Sequence, residues 1–107
     1  MQNYKLKRGF TPEIQRIKAL LDENFPCTFT EIEGGYEFSY GAFKSCRMWI
    51  ENQRMMVDTV SNTNTTDDVV LDTNSRYRKF LEPATGYTAK QRLANMKKDA
   101  QKAEEEG

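Results

Sequence analysis

Between Cys27 and Asn62 the chain alternates β-rich runs with turn residues: "CTFTEIE", "YEFSY", "KSCRMWIE" and "RMMVDTVSN" are parted by Gly34-Gly35, Gly41 and Asn52-Gln53. No other feature restricts the fold so strongly. β-branched and aromatic side chains suit a pleated, half-buried surface, and runs of strand length with such short connections fit hairpins rather than crossovers. Glycine reaches the positive φ that a two-residue hairpin needs, so Gly34-Gly35 is expected to form the first turn. Gly41 leaves room for a bulge or a turn, and Asn52-Gln53 leads into the last strand. The block reads as an antiparallel meander of four strands.

Helical signals flank the meander. "NYKLKRG" sets Tyr4 and Leu6 against Lys5 and Lys7, the alternation of a short half-buried strand that Gly9 ends. In "TPEIQRIKALLDENF", Thr11 is the expected N-cap and Pro12 the first helical residue, with Glu13 near the positive helix end. Ile14, Ile17, Leu20 and Leu21 then mark one helix face, and Pro26 stops it. After "TNTTDD", either Thr66 or Asp67 can cap a second helix, whose stripe is Val70, Thr73, Tyr77, Phe80 and Leu81 and which Pro83 and Gly86 close. Thr88 and Gln91 make a capping box for a third. Its apolar positions, Ala89, Leu93, Met96, Ala100 and Ala103, form a seam of mostly small residues that buries little area. "EEEG" at its end also opposes the helix dipole.

The expected order is therefore β-α-β-β-β-β-α-α, an α+β fold with helices packed on one face of an antiparallel sheet. At 107 residues one core is expected. Residues 1–87 are read as that α+β domain, and 88–107 as a charged C-terminal helix that protrudes or frays beyond Met96. Charged residues make up 30% of the chain, but six Phe, five Tyr and one Trp supply enough bulk for a core. Cys27 and Cys46 lie far apart with no signal peptide before them, which suits two reduced core fillers in a cytoplasmic protein. No apolar run approaches the about 20 residues that a membrane helix needs.

Tyr36, Phe38 and Tyr40 share one strand face, as do Cys46, Met48 and Ile50 on the next strand. With Phe38, Met48 and Ile50 under the first two helices, most of this aromatic row is core. Arg47, Trp49 and Glu51 fall on the opposite face, where Trp49 is expected to be partly exposed. Such a surface suits a protein interface, for which Trp, Tyr and Arg are usual anchors, or the stacking of unpaired bases.

Catalytic chemistry has little to work with. Histidine is absent, which removes the side chain best suited to proton transfer near neutral pH. Two isolated cysteines make neither a standard zinc set nor a recognisable nucleophile signature. Asp67-Asp68 and Glu104–Glu106 read as a helix start and a solvated tail. Gly34-Gly35 joins strand to strand and so cradles no phosphate at a helix N-terminus. The expectation is a non-enzymatic protein with no metal and no cofactor.

Two stretches, "KLKRGFTP" over 5–12 and "TGYTAKQR" over 85–92, resemble a family of small uncharacterised proteins from methanogenic and related archaea, carried as a domain of unknown function. The resemblance spans nearly the whole chain and is loosest in the meander. It implies an α+β fold, an archaeal cytoplasm and no assigned activity, and it supplies no functional residues. Read physically, Gly9 and Thr11-Pro12 position the first helix, while Gly86 and Thr88 set the turn between the last two. The same stretches carry Lys5, Lys7, Arg8, Tyr87, Lys90 and Arg92, which form a binding surface if they converge and solvated faces if they do not.

Two functions are thus expected to compete. One is a binding module that contacts a protein partner or itself through the open sheet face and the last helix. The other is single-stranded RNA binding by Trp49, Arg47 and the basic clusters at Lys5, Lys7, Arg8 and at Lys90, Arg92, Lys97, Lys98. Sixteen basic and sixteen acidic residues cancel, so the second lacks a long-range field.

Overall fold

The structure is a computed structural model and describes residues 2–106, with side chains through Lys98. Five strands, β1 (Gln2–Tyr4), β2 (Thr30–Ile32), β3 (Gly35–Tyr40), β4 (Phe43–Glu51) and β5 (Arg54–Ser61), form one antiparallel sheet in the order β1-β5-β4-β3-β2. The last four are the meander. β1 adds at the free side of β5, with Gln2 opposite Val57 and Tyr4 opposite Met55.

Turn chemistry fixes the register. Ile32 pairs with Gly35, so the first hairpin turns on Glu33-Gly34 rather than on Gly34-Gly35, and Gly34 takes the positive φ of 73°. Gly35 is a strand residue instead. Tyr40 pairs with Phe43 across a turn at Gly41-Ala42, followed by a register shift in β4. Glu51 pairs with Arg54, and both Asn52 and Gln53 have positive φ, 51° and 63°, as a type I′ turn demands.

Three helices accompany the sheet: α1 (Ile14–Asn24), α2 (Asp67–Thr85) and α3 (Ala89–Glu106). α1 begins later than Thr11-Pro12 would set it, because Glu13 is its extended N-cap residue and the segment before it bonds elsewhere. Phe10 N–H closes a turn on the Lys7 carbonyl, and the Thr11 carbonyl accepts from Arg16 Nε at 3.0 Å. β1 is also shorter than its alternation suggests: Lys7 N–H donates to the Thr85 carbonyl at 2.8 Å instead of continuing the ladder. β2 likewise starts only at Thr30, since Cys27 N–H turns back to the Phe25 carbonyl. α2 runs on past Pro83 to Thr85, where Gly86 in the left-handed region donates its N–H to the Glu82 carbonyl. α3 opens with the reciprocal cap: Gln91 N–H donates to Thr88 Oγ1 at 3.3 Å, and Thr88 N–H to Gln91 Oε1 at 2.9 Å. The expectation that α3 leaves the body or frays beyond Met96 falls on a stretch whose side chains, from 99 on, lie outside the described residues.

The core lies between one sheet face and the first two helices. Ile17 and Leu21 of α1, Phe25 just after it, and Phe80, Leu81 and Ala84 of α2 pack with Tyr4, Phe38, Cys46, Met48, Met55 and Val57 of the sheet. Register places those sheet residues on a single face: Phe38 opposes Cys46, Met48 opposes Val57 and Tyr4 opposes Met55. Phe25 is the hub of the aromatic row, its ring 4.9 Å from Phe38, 5.5 Å from Tyr40 and 6.5 Å from Phe43. Burying this cluster is the main driving force for docking helices on the sheet.

Candidate functional site

Trp49 stands on the other face. Its cross-strand neighbours are Gly35 on β3 and Met56 on β5; Gly35 in turn opposes Ile32, and Met56 opposes Asn3. A row Ile32, Gly35, Trp49, Met56, Asn3 therefore crosses the whole sheet, with neighbours close enough to interact. Gly35 presents no side chain to the indole, whereas Met56 is only 7% exposed although it lies outside the helix-covered cluster. Trp49 itself is half-buried, and its Nε1 donates to Glu51 Oε2 at a long 3.4 Å.

Charges of both signs border this row. Arg47 opposes Glu37 on β3 and Asp58 on β5. Its Nε donates to Glu37 Oε2, and that hydrogen bond holds the guanidinium pKa above its ordinary value. Arg54 Nη1 donates to Asn3 Oδ1 at 3.4 Å and lies opposite Glu51. Arg47 is thus a partnered charge rather than a bare cation.

At its Asn3 end the row reaches α3. Asn3, Tyr4, Lys5, Tyr87, Arg92, Asn95 and Met96 line a notch of about 10 Å³, room for no more than a single water. Arg92 is 9% exposed and donates from Nη1 to the Tyr87 carbonyl at 2.7 Å, so it fastens the start of α3 to the turn before it. Met96, which also borders the notch, is still 38% exposed, and Leu93 is 55% exposed.

The sequence-derived residues therefore fall into two groups. Lys5, Tyr87 and Arg92 meet at the notch. Lys7 joins them at the same corner, since a Cβ placed on Gly86 would lie 2.9 Å from Lys7 Cβ. Arg8 and Lys90 are exposed on the two segments that form this corner. Arg47 and Trp49 lie across the outer sheet face, linked to the corner through Met56 and Asn3. Met56, Asn3 and Ile32 were not singled out from the sequence. The period-two alternation of "RMMVDTVSN" would have put Met56 opposite Met55 and Val57, but Asn3 and Ile32 join the row only through pairing.

Cys27 and Cys46 are free thiols, and burial pushes the Cys46 pKa up to about 12. Among the described residues no group of three or more His, Cys, Asp or Glu could hold a metal ion, and no helix is long and apolar enough to cross a membrane.

The chain belongs to the family described as Domain of unknown function (DUF5611), which it matches over residues 1–98. Among solved structures it is similar to the NMR solution structure of a hypothetical protein from the archaeon Thermoplasma acidophilum, at 23% identity and a TM-score of 0.65, covering 90% of this chain and 97% of that one. At that identity the likeness shows the fold alone. No curated protein matches the chain.

Proposed function

We propose that this member of a family of unknown function is a non-enzymatic binding module that docks a second copy of itself through the outer sheet face and α3. The observation that carries the reading is continuity. Ile32 and Trp49 lie half-buried on the face opposite α1 and α2, and across the buried Met56 the row reaches Asn3 and a helix that exposes Leu93 and Met96. Trp, Met and Arg are the residue types enriched at protein interfaces.

Charge favours a second copy as the occupant. Glu37, Glu51 and Asp58 alternate with Arg47 and Arg54 around the row, so a two-fold axis through the face can set acid against base in both directions. A net charge of zero removes any overall repulsion between copies. Single-stranded RNA draws less support, because three acidic groups meet two basic ones here and Arg47 is already engaged by Glu37.

Trp49 is the chain's one tryptophan, so its emission reports this surface directly. Light scattering over a concentration series is expected to show a dimer mass, with emission moving to the blue as dimer forms. Trp49→Asp and Leu93→Asp are expected to return the monomer with an unchanged circular dichroism spectrum. A monomer at every concentration with constant emission sinks the proposal; so does salt-sensitive binding of a single-stranded oligonucleotide by that monomer, lost in Trp49→Ala and Arg47→Ala.

A further inference from the structure

A cleft of about 240 Å³ opens on the helix-covered side, between α2 and the β1–β5 end of the sheet, lined by Gln2, Phe43, Val57, Thr59, Asn74 and Tyr77. It arises where apolar packing stops. Val57 is buried, Thr59 two residues on along the same face is exposed, and α2 offers the exposed Asn74 beside it rather than a large apolar side chain. Phe43 and Tyr77 supply aromatic wall, edge to face at 5.5 Å and 88°.

Its polar groups are neutral and partly pre-set. Tyr77 Oη donates to Tyr4 Oη at 3.1 Å, and Tyr4 Oη donates to Gln2 Oε1. This relay holds one end of the Gln2 amide and leaves its NH₂ as a donor. Asn74 adds a second amide with both donor and acceptor, and Thr59 adds a hydroxyl. Among the described residues no Lys, Arg, Asp or Glu lines the cleft, so no charged side chain there draws in a phosphate or carboxylate. Amides beside an aromatic wall are instead the groups that read the edge and face of a base. The volume is below the roughly 300–1,000 Å³ of drug-sized sites, a size for one ring system.

We infer that this cleft binds a neutral nucleobase-type heterocycle, with its face against one ring of the perpendicular Phe43–Tyr77 pair, the edge of the other ring beside it, and its own edge on Gln2, Asn74 and Thr59. The inference does not depend on self-association, which uses the opposite sheet face. Adenine, uracil and their 5′-monophosphates serve as probes, titrated into ¹⁵N-labelled full-length protein and followed by amide chemical shifts. At least one free base is expected to shift Thr59, Asn74 and Tyr77 saturably, with its monophosphate binding no more than about twofold tighter, since no cation lines the cleft to meet a phosphate. Asn74→Leu is expected to weaken binding at least tenfold, the loss that follows when a polar edge faces an unpaired site, and Thr59→Val to weaken it several-fold. Both side chains are exposed, and the dispersion of each variant's spectrum reports its fold. Absence of saturable shifts at millimolar base overturns the inference, as do shifts centred on Trp49, a monophosphate bound far more tightly than its base, or unchanged affinity in both variants.

Discussion

A Cβ at Gly35 would lie 1.8 Å from the Met48 carbonyl oxygen and 2.9 Å from Trp49 Cα, both backbone atoms of β4. Any side chain must therefore push β3 off its neighbour. Gly35→Ala is expected to lower the unfolding free energy by about 1–3 kcal/mol, the range of overpacking costs, and to shift Trp49 emission, as read in urea titrations. Gly34→Ala makes the contrast: its Cβ meets nothing within 4 Å, so only the positive φ opposes it, at about 1–2 kcal/mol. The sequence marks both glycines as a turn signal and cannot tell them apart, because the close approach at Gly35 belongs to the sheet rather than to the local chain. Trp49 was more legible, since alternation alone separates it from Cys46 and Met48 once those fill the core. Cys46 itself gives a second test. It is fully buried with its thiol pKa raised to about 12 by burial, then by Asp58 and Cys27, so few thiolates form at neutral pH. A thiol reagent at pH 8 is expected to label the half-buried Cys27 first and Cys46 only at the rate of global unfolding.

Arg16 fastens the end of an element that runs two residues past a proline. Pro83 cannot donate an N–H within α2, yet the helix continues to Thr85. Arg16 Nη1 donates to the Pro83 carbonyl at 3.0 Å and Nη2 to the Ala84 carbonyl at 2.8 Å, while Thr85 Oγ1 donates to the Leu81 carbonyl at 2.8 Å. The cation thus sits at the negative end of α2 and satisfies carbonyls that the last turn leaves open. Arg16→Ala is expected to cost about 1.5–3 kcal/mol, the range for hydrogen bonds to a charged group, and Arg16→Lys to recover only part of it because an ammonium lacks the forked geometry. Chemical denaturation of the three proteins measures this. Element type and order were legible in the sequence because periodicity and turn residues are local signals. So were the ends of α2, capped by Thr66 and Gly86 as the sequence suggests, whereas the ends of β1 and α1 were not, since Lys7 N–H and the Thr11 carbonyl are claimed by partners distant in the fold or across a turn.

At the scale of the whole molecule, β1 and α2 are tied through the Tyr77–Tyr4 hydroxyl pair, a link that no local pattern predicts because it needs β1 to pair beside β5. Burial, the largest cause for both, raises the pKa of Tyr4 and of Tyr77 above the ordinary value near 10; Arg92 acts in the opposite sense on each. The consequence for stability follows from which state holds its protons longer. Below the ordinary value both tyrosines are protonated in folded and unfolded chains alike, so their contribution is fully present and independent of pH. Above it the unfolded chain loses these protons while the folded chain keeps them, and stability falls as pH rises, by up to about 1.4 kcal/mol per pH unit for each group. Urea midpoints measured from pH 8 to 11.5 are expected to hold nearly level up to about pH 10 and then drop. Absorbance at 295 nm is expected to show Tyr4 and Tyr77 ionising at higher pH in the folded chain than in the urea-unfolded one. Other groups titrate in the same range, so the decisive comparison is Tyr77→Phe, which removes one of the two protons from the balance. Its alkaline slope is expected to be shallower than that of the parent chain even though its stability at pH 8 is lower, and equal slopes would show that the pair does not couple β1 to α2 in this way.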